Sequence, residues 1–348
     1  MTKNTKNAVI LSSCVLFLVA VLILIRFLPN KKDASNQSDT SVINIINEPI
    51  EKINNIDIIN NYGAYSFIKN SNNKLEISEL RKYIKNDNSY NDLTEVIQNF
   101  TADKLVSTEG TQFDIYGFNS PAAQVTIKSN NINTVLLIGS QAPGDVGYYV
   151  AVQNKPNVYL ASSNIIAPFL KSKLDYISLN ITSPASKNEV MSNLEYIEIV
   201  KSNESEKIKI VKSSSNQNKN QNKNQNKNQN KNQNKNQNKI IYKITHPVQQ
   251  NINESDYPLI ESLENINAQK IECINASLED LENYNLNSPE ITINLKYKNK
   301  NNIVLLISQI ENSQDYFVMK QNEDIVYRVS GDNFEFINIL PASSSSEK

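Results

Sequence analysis

Residues Tyr116–Pro121 read YGFNSP, Tyr284–Pro289 read YNLNSP, and the match runs on in register after each copy. QVTIK, VLLIG, YYV and VYL follow the first; TINLK, VLLIS, YFV and VYR follow the second. Tyr284 lies 168 residues after Tyr116, Val304 lies 169 after Val135, and Tyr316 and Val326 again lie 168 after Tyr148 and Val158. A near-constant offset through a whole series of strand-like segments restricts the fold to one supersecondary unit built twice.

Each copy reads as a β-meander. Asn119 and Asn287 suit a turn, and Ser120 and Ser288 precede proline, which drives them to extended geometry. Pro121 and Pro289 then stand where a strand begins and a missing N–H is tolerated. Val125 and Ile127 alternate with polar neighbours, as do Ile291, Ile293 and Leu295, so each strand buries one face. Val135–Ile138 and Val304–Ile307 are continuous apolar runs, expected to be central strands covered on both faces. Tyr148–Val152 with Val158–Leu160, and Tyr316–Met319 with Ile325–Val329, complete the meanders.

Upstream of the first meander, IDII and YSFI form a strand pair around Asn60–Gly63. Leu93, Val96, Ile97 and Phe100 then follow helical spacing over Asp92–Phe100, capped by Asn91 or Asp92. Leu259, Leu263 and Ile266 repeat the pattern, opened by Ser255, Asp256 and Pro258. Short apolar pieces follow both helices at Lys104 and Lys270. Helical segments close the copies near 164–176 and 333–340. LEYIEIV at Leu194 and KIKIV at Lys207 pair as strands.

Two stretches stand outside this scheme. Ala8–Ile25 is apolar and is extended by Phe27 and Leu28, long enough at about 1.5 Å per residue to cross a bilayer core. The run is too long for a cleavable signal core and lacks an A-x-A site. LSSC at Leu11–Cys14 has lipobox letters, but most of the apolar run follows Cys14. An uncleaved anchor over 8–28 is therefore expected. Lys3 and Lys6 precede it and Arg26, Lys31 and Lys32 follow, so local charge leaves the side of the membrane open. The second stretch is NQNK, six times over from Asn216 to Lys239. With no apolar residue it has nothing to bury, and it reads as a disordered hairpin-tip insert, set at 213–239. Such lengthening costs about 1.5–2 kcal/mol of closure entropy. Its regularly spaced lysines would attract anionic lipid or cell-envelope polymer; the other reading is a repeat expansion tolerated at a loop tip.

Reactive chemistry is sparse. The 35 basic and 36 acidic residues balance, giving no general attraction to nucleic acid. His246 is the one histidine, beside Pro247 at a strand exit. Gly139, Gly144 and Gly147 in GSQAPGDVG lack the Lys-Ser/Thr and helix of a phosphate loop and read as a hairpin turn. Asp114, Asp145 and the group Glu279, Asp280 and Glu282 read as solvated carboxylates. Cys14 and Cys273 lie too far apart in the scheme to pair within one folded domain, and they offer no zinc framework. No residue is nominated as catalytic, cofactor-binding or metal-ligating, no cofactor is expected, and the chain is read as a non-enzyme.

Through Tyr116, Gly117, Asn119, Pro121, Gly139, Tyr148, Tyr149 and Val158 the sequence resembles the bacterial domain-of-unknown-function 4340 family. The second copy keeps Tyr284, Asn287 and Pro289 but has Asn285 and Ser308 where the first has glycine. The resemblance implies one N-terminal membrane helix, an extracytoplasmic remainder and association with ABC-type transporter components; it carries no catalytic residues. The expected protein is α+β: a short tail (1–7), a transmembrane anchor (8–28) and a linker (29–54), then two homologous units (55–182 and 183–342), each an antiparallel sheet with a packed helix, and a polar tail (343–348). Its expected function is that of an accessory subunit of a membrane complex, the bilayer being met through 8–28. The alternative is a module binding cell-wall polymer or peptide on the sheet faces or in the cleft between copies.

Overall fold

Alternation after each proline puts one row of side chains inside a sheet. The computed structural model describes residues 42–109, 113–130, 132–182, 194–202, 207–215, 239–298 and 302–340. On β7 (Ala123–Ser129), Ala123, Val125 and Ile127 are buried. On β16 (Ile291–Tyr297), Ile291, Ile293, Leu295 and Tyr297 are buried in the same rhythm. Fully burying each of the Val, Ile and Leu side chains among them contributes about 1.5–3 kcal/mol.

Two large antiparallel sheets are built on these strands. The first comprises β2 (Ile53–Asn60), β3 (Gly63–Lys69), β4 (Leu75–Ile77), β6 (Lys104–Ser107), β7, β8 (Asn133–Gln141), β9 (Tyr148–Val152) and β10 (Val158–Ala161), in the order β4-β3-β2-β7-β8-β9-β10-β6. The second comprises β11 (Leu194–Lys201), β12 (Ile208–Ser215), β13 (Lys239–His246), β14 (Gln250–Asn251), β15 (Lys270–Ile274), β16, β17 (Ile303–Gln309), β18 (Tyr316–Lys320) and β19 (Ile325–Val329), in the order β14-β13-β12-β11-β16-β17-β18-β19-β15. With β14 set aside, the two orders correspond strand for strand, including the return of β6 and β15 to the far edge. The molecule is thus α+β and rich in sheet.

Helices are few, and all but the one over Leu278–Asn283 lie on the core face. α1 (Asp87–Gln98) starts where the Asn86 side chain accepts the Ser89 N–H, and it buries Tyr90, Leu93 and Ile97. Asn at this position satisfies one of the orphan donors of the first turn. Tyr90 meets Tyr176 edge-on at 5.1 Å between ring centroids, and Tyr176 meets Phe67 at 4.9 Å. α2 (Ser163–Ile166) runs into 3-10 turns at Ala167–Leu170 and Lys173–Tyr176. In the second half, α3 (Tyr257–Glu261) has Pro258 in its first turn and continues as a 3-10 turn over Ser262–Asn265, together burying Ile260 and Leu263. α4 (Leu278–Asn283) is capped reciprocally by Ser277 and Asp280. A 3-10 stretch, Gly331–Ile339, follows β19.

Several expectations need correction. The helix expected from Asp92 starts five residues earlier, at Asp87, and Phe100 is on β5 (Asn99–Ala102) rather than on the helix. The linker expected over 29–54 is structured from Ile43: β1 (Ile43–Asn47) pairs with β5, and β2 begins at Ile53. The insert expected over 213–239 is shorter, because Ser213, Ser214 and Ser215 pair with Ile241, Ile240 and Lys239. That pairing makes the segment 216–238 the link across a hairpin; the tract itself lies outside the described residues. On β8 only one face is fully buried, through Leu136 and Ile138, whereas Val135 and Leu137 are half-buried. The expected anchor, residues 8–28, also lies outside the described residues. Among the described residues, no helix is long and apolar enough to cross a membrane.

Candidate functional site

The repeated turn covers the outer face of each sheet. Phe118 packs with Ala151 and Val158, supported by Tyr116, Leu137 and Tyr149. Leu286 packs with Met319 and Val326, supported by Tyr284, Leu306 and Phe317. The correspondence is residue for residue: Tyr116 meets Tyr149 edge-on at 4.9 Å, and Tyr284 meets Phe317 at 4.7 Å. Both turns need a left-handed residue, supplied by Gly117 at φ +79° and by Asn285 at φ 55°. Asn visits this region at little cost, which accounts for its replacing glycine there. The second substitution follows from space. A Cβ on Gly139 would lie 2.0 Å from the Tyr116 carbonyl oxygen. In the other turn Ser308 occupies the equivalent place, and its hydroxyl donates to the Asn285 carbonyl at 2.8 Å.

Where the two sheets meet, two short segments pair. The Ala268 N–H donates to the Leu179 carbonyl at 2.7 Å, and the Ile181 N–H donates to the Ile266 carbonyl at 2.9 Å. The buried Thr182 hydroxyl accepts the Ile266 N–H at 2.7 Å. Beside this seam lies a cleft of about 490 Å³ whose walls include Tyr83, Ile84 and Asn180 from one side and Asn322, Asp324 and Tyr327 from the other. The Lys82 ammonium spans it, paired with the Asp324 carboxylate and donating to the Asn275 side-chain oxygen at 2.8 Å. The Asn275 N–H donates to the Tyr83 hydroxyl at 3.3 Å. The hydrogen bond from Lys82 to Asp324 is the main cause holding the ammonium's pKa above its usual value. Asp324 is held below the usual carboxylate range: burial opposes this, but bonds from Lys82 and Tyr83 prevail. The cleft therefore offers fixed charges of both signs, amides and a phenol. That set can hold a polar chain.

A second polar group is enclosed in the core of the β11–β19 sheet. Lys212, at the inward-facing rhythm of Ile208 and Ile210 on β12, pairs with Glu264 at 3.0 Å, both side chains being buried. Desolvation pushes the Glu264 pKa up, against the opposing pull of Lys212. The second Glu264 carboxylate oxygen and the Tyr297 hydroxyl are buried without a hydrogen-bond partner. Breaking such a pair on one side leaves a charge stranded.

The residues weighed from sequence scatter. His246 is exposed at the end of β13, before a cis bond to Pro247. Gly144 and Gly147, with Asp145 at φ 58°, shape the β8–β9 loop. Asp114 accepts from the Asn119 amide, and Asp280 is engaged in the α4 cap. Cys273 is a free thiol in the satellite cluster around Leu286, and burial raises its pKa. Cys14 lies outside the described residues. Among the described residues, no three His, Cys, Asp or Glu side chains converge as a metal site. Sequence reasoning passes over Lys82, Tyr83 and Asn275, whose meeting across 192 residues leaves no local trace. Lys212 and Glu264 are missed too, although the two-residue rhythm Ile208, Ile210, Lys212 points that lysine inward.

Comparison with curated proteins and with solved structures returned no match. The family model described as a domain of unknown function, DUF4340, matches residues 76–246. It begins on β4 and ends on β13, strands that hold corresponding ranks in their sheets. Over residues 76–246, the chain belongs to the DUF4340 family.

Proposed function

We propose that the chain is a membrane-anchored, extracytoplasmic, non-enzymatic protein made of two homologous units, and that it serves as an accessory subunit of a membrane complex such as an ABC-type transporter. The observation that carries this reading is the double occurrence of one architecture: the same strand order, with the same aromatic-backed turn on the outer face. Duplication of a single unit accounts for both, and for the spacing of 168–169 residues in the sequence. Ahead of this body stands the apolar run 8–28, the reading of which as an anchor comes from its length and composition. A protein of this kind acts by presenting shaped surfaces. Affinity purification of the full chain from membranes in mild detergent tests the proposal. Transporter subunits should be recovered with it, and protease applied to intact cells should degrade the β-rich body; no co-purifying membrane protein and a protected body would overturn the reading.

The cleft beside the seam favours a second reading, capture of a peptide or cell-wall polymer. Its volume, about 490 Å³, and its mixed polar walls suit an extended polar chain. Pull-down on purified cell wall, with and without residues 216–238, separates cleft binding from attraction to the lysine-bearing tract.

A further inference from the structure

The two ends of the β2–β10 sheet differ in chemistry. Register places the β2–β3 turn, the approach to β7, the β8–β9 loop and the end of β10 at one end, since Asn60 faces Gly63 and Ala123, Ala123 faces Ile138, Gln141 faces Tyr148, and Tyr148 faces Ala161. The connections here read Asn61-Tyr62, Pro121-Ala122 and APGDVG (142–147), so they carry a single charge, Asp145. Tyr62 is 71% exposed and Val146 58% exposed, and with strands about 4.8 Å apart they stand roughly 15 Å from each other. Ile59 and Ile115 add exposed apolar surface. Ile115 lies in the 3-10 turn Phe113–Tyr116 that leads into Gly117, beside Ser140. Asp103 and Asp114 are carboxylates nearby, and two lysines lie at the same end: Lys104 faces Leu160, and the Asn60 side chain donates to the Lys171 carbonyl at 2.8 Å. The opposite end is crowded with charge: Glu48, Glu51, Lys52, Lys69, Lys74, Lys128 and Lys155.

The chain enters the described fold at the first of these ends. Ile43 faces Ala102, and the next residue, Asp103, donates its N–H at 2.8 Å to Leu160, one position before the end of β10. β1 then runs towards the charged end, where Asn47 faces Asn99. Only residues 29–41 separate Val42 from the end of the apolar run at Leu28, and thirteen residues reach at most about 45 Å when fully extended. Val42 is itself exposed.

We propose that this end of the sheet is a bilayer-facing rim, with Tyr62 and Val146 seated at the headgroup level of the membrane that holds the anchor. The inference rests on the anchor reading of the proposed function. A tyrosine and an aliphatic side chain at loop tips, within tether reach of a membrane segment, match the amphipathic composition of the interfacial zone. With lysines as well as carboxylates at the rim, what it offers the membrane is its aromatic and aliphatic tips rather than a net charge, and a zwitterionic lipid surface suits it.

The test uses the full chain, with Cys14→Ser and Cys273→Ser, reconstituted into phosphatidylcholine vesicles. Single cysteines are placed by Tyr62→Cys, Val146→Cys and Ile132→Cys and labelled with an environment-sensitive dye. Ile132 is 63% exposed and belongs to the opposite, charged end. Brominated lipid should quench the dye at positions 62 and 146 and leave position 132 unchanged. Flotation with the vesicles but equal quenching at all three positions, none at any, or more at 132, would overturn the rim while leaving the anchor standing. Failure to float with vesicles would overturn the anchor and the rim with it.

Discussion

Replacing Gly139 by alanine probes the packing of the repeated turn. The new Cβ would fall 2.0 Å from the Tyr116 carbonyl oxygen and 3.0 Å from the Phe118 ring, so the turn has to lift by more than an ångström. Overpacking of this kind costs about 1–3 kcal/mol. Phe118 is held against Ala151 and Val158 by that turn, and partial exposure of its ring adds about 1 kcal/mol. Urea denaturation followed by circular dichroism should show a midpoint lower by about 1–2 M, given a slope near 2 kcal/mol per molar. The counterpart, Ser308→Ala, removes only the bond to the Asn285 carbonyl, worth about 1 kcal/mol. Asn285→Gly should change stability by a few tenths of a kcal/mol, as both residues accept a left-handed backbone. An alanine at 139 tolerated as readily as one at 308 would refute the reasoning.

Further outcomes follow from other parts of the fold. Lys212→Met should lower stability by about 3–5 kcal/mol by stranding Glu264, while Lys212→Met with Glu264→Leu should regain most of that loss; denaturation of both variants checks it, and a neutral single variant would contradict it. Hydrogen bonds from Asn70, then Lys85 and Arg81, hold the Glu76 carboxyl at about 2 against its burial. With the folded value depressed, the stabilisation is present above the ordinary carboxylate range and is lost as pH falls from about 4.3 towards 2. Glu76→Gln should flatten that part of the stability–pH curve measured by urea midpoint. Replacing residues 216–238 by a short turn should leave the far-ultraviolet spectrum unchanged and raise stability by no more than about 2 kcal/mol.

Much of this architecture is written locally. The pairing of β2 with β3 and the meanders after Pro121 and Pro289 follow from period-two alternation bounded by Asn and Pro, whereas the hairpin ends at Ser215 and Lys239 do not, because Ser213–Ser215 carry no alternation. Three features resist reading for physical reasons. β1 is five residues, INIIN, inside an Asn- and Ser-rich stretch, and its partner β5 lies more than fifty residues on, so nothing nearby announces it. The start of α1 is blurred because Asn86, Asn88 and Asn91 are all competent caps; burial of Tyr90 decides among them. The polar contacts at the seam join Lys82 and Tyr83 to Asn275 and Asp324, and only tertiary packing brings them together. The candidate cleft was therefore foreseeable as a gap between units, but its walls were not.

An experimental structure of residues 42–340 tests the central claim most directly. The account expects β7–β10 to superimpose on β16–β19, with Tyr116 over Tyr284, Phe118 over Leu286 and Gly117 over Asn285, each turn lying on the outer face of its sheet. Strand orders that differ between the two sheets, or turns on opposite faces, would contradict descent of both halves from one unit.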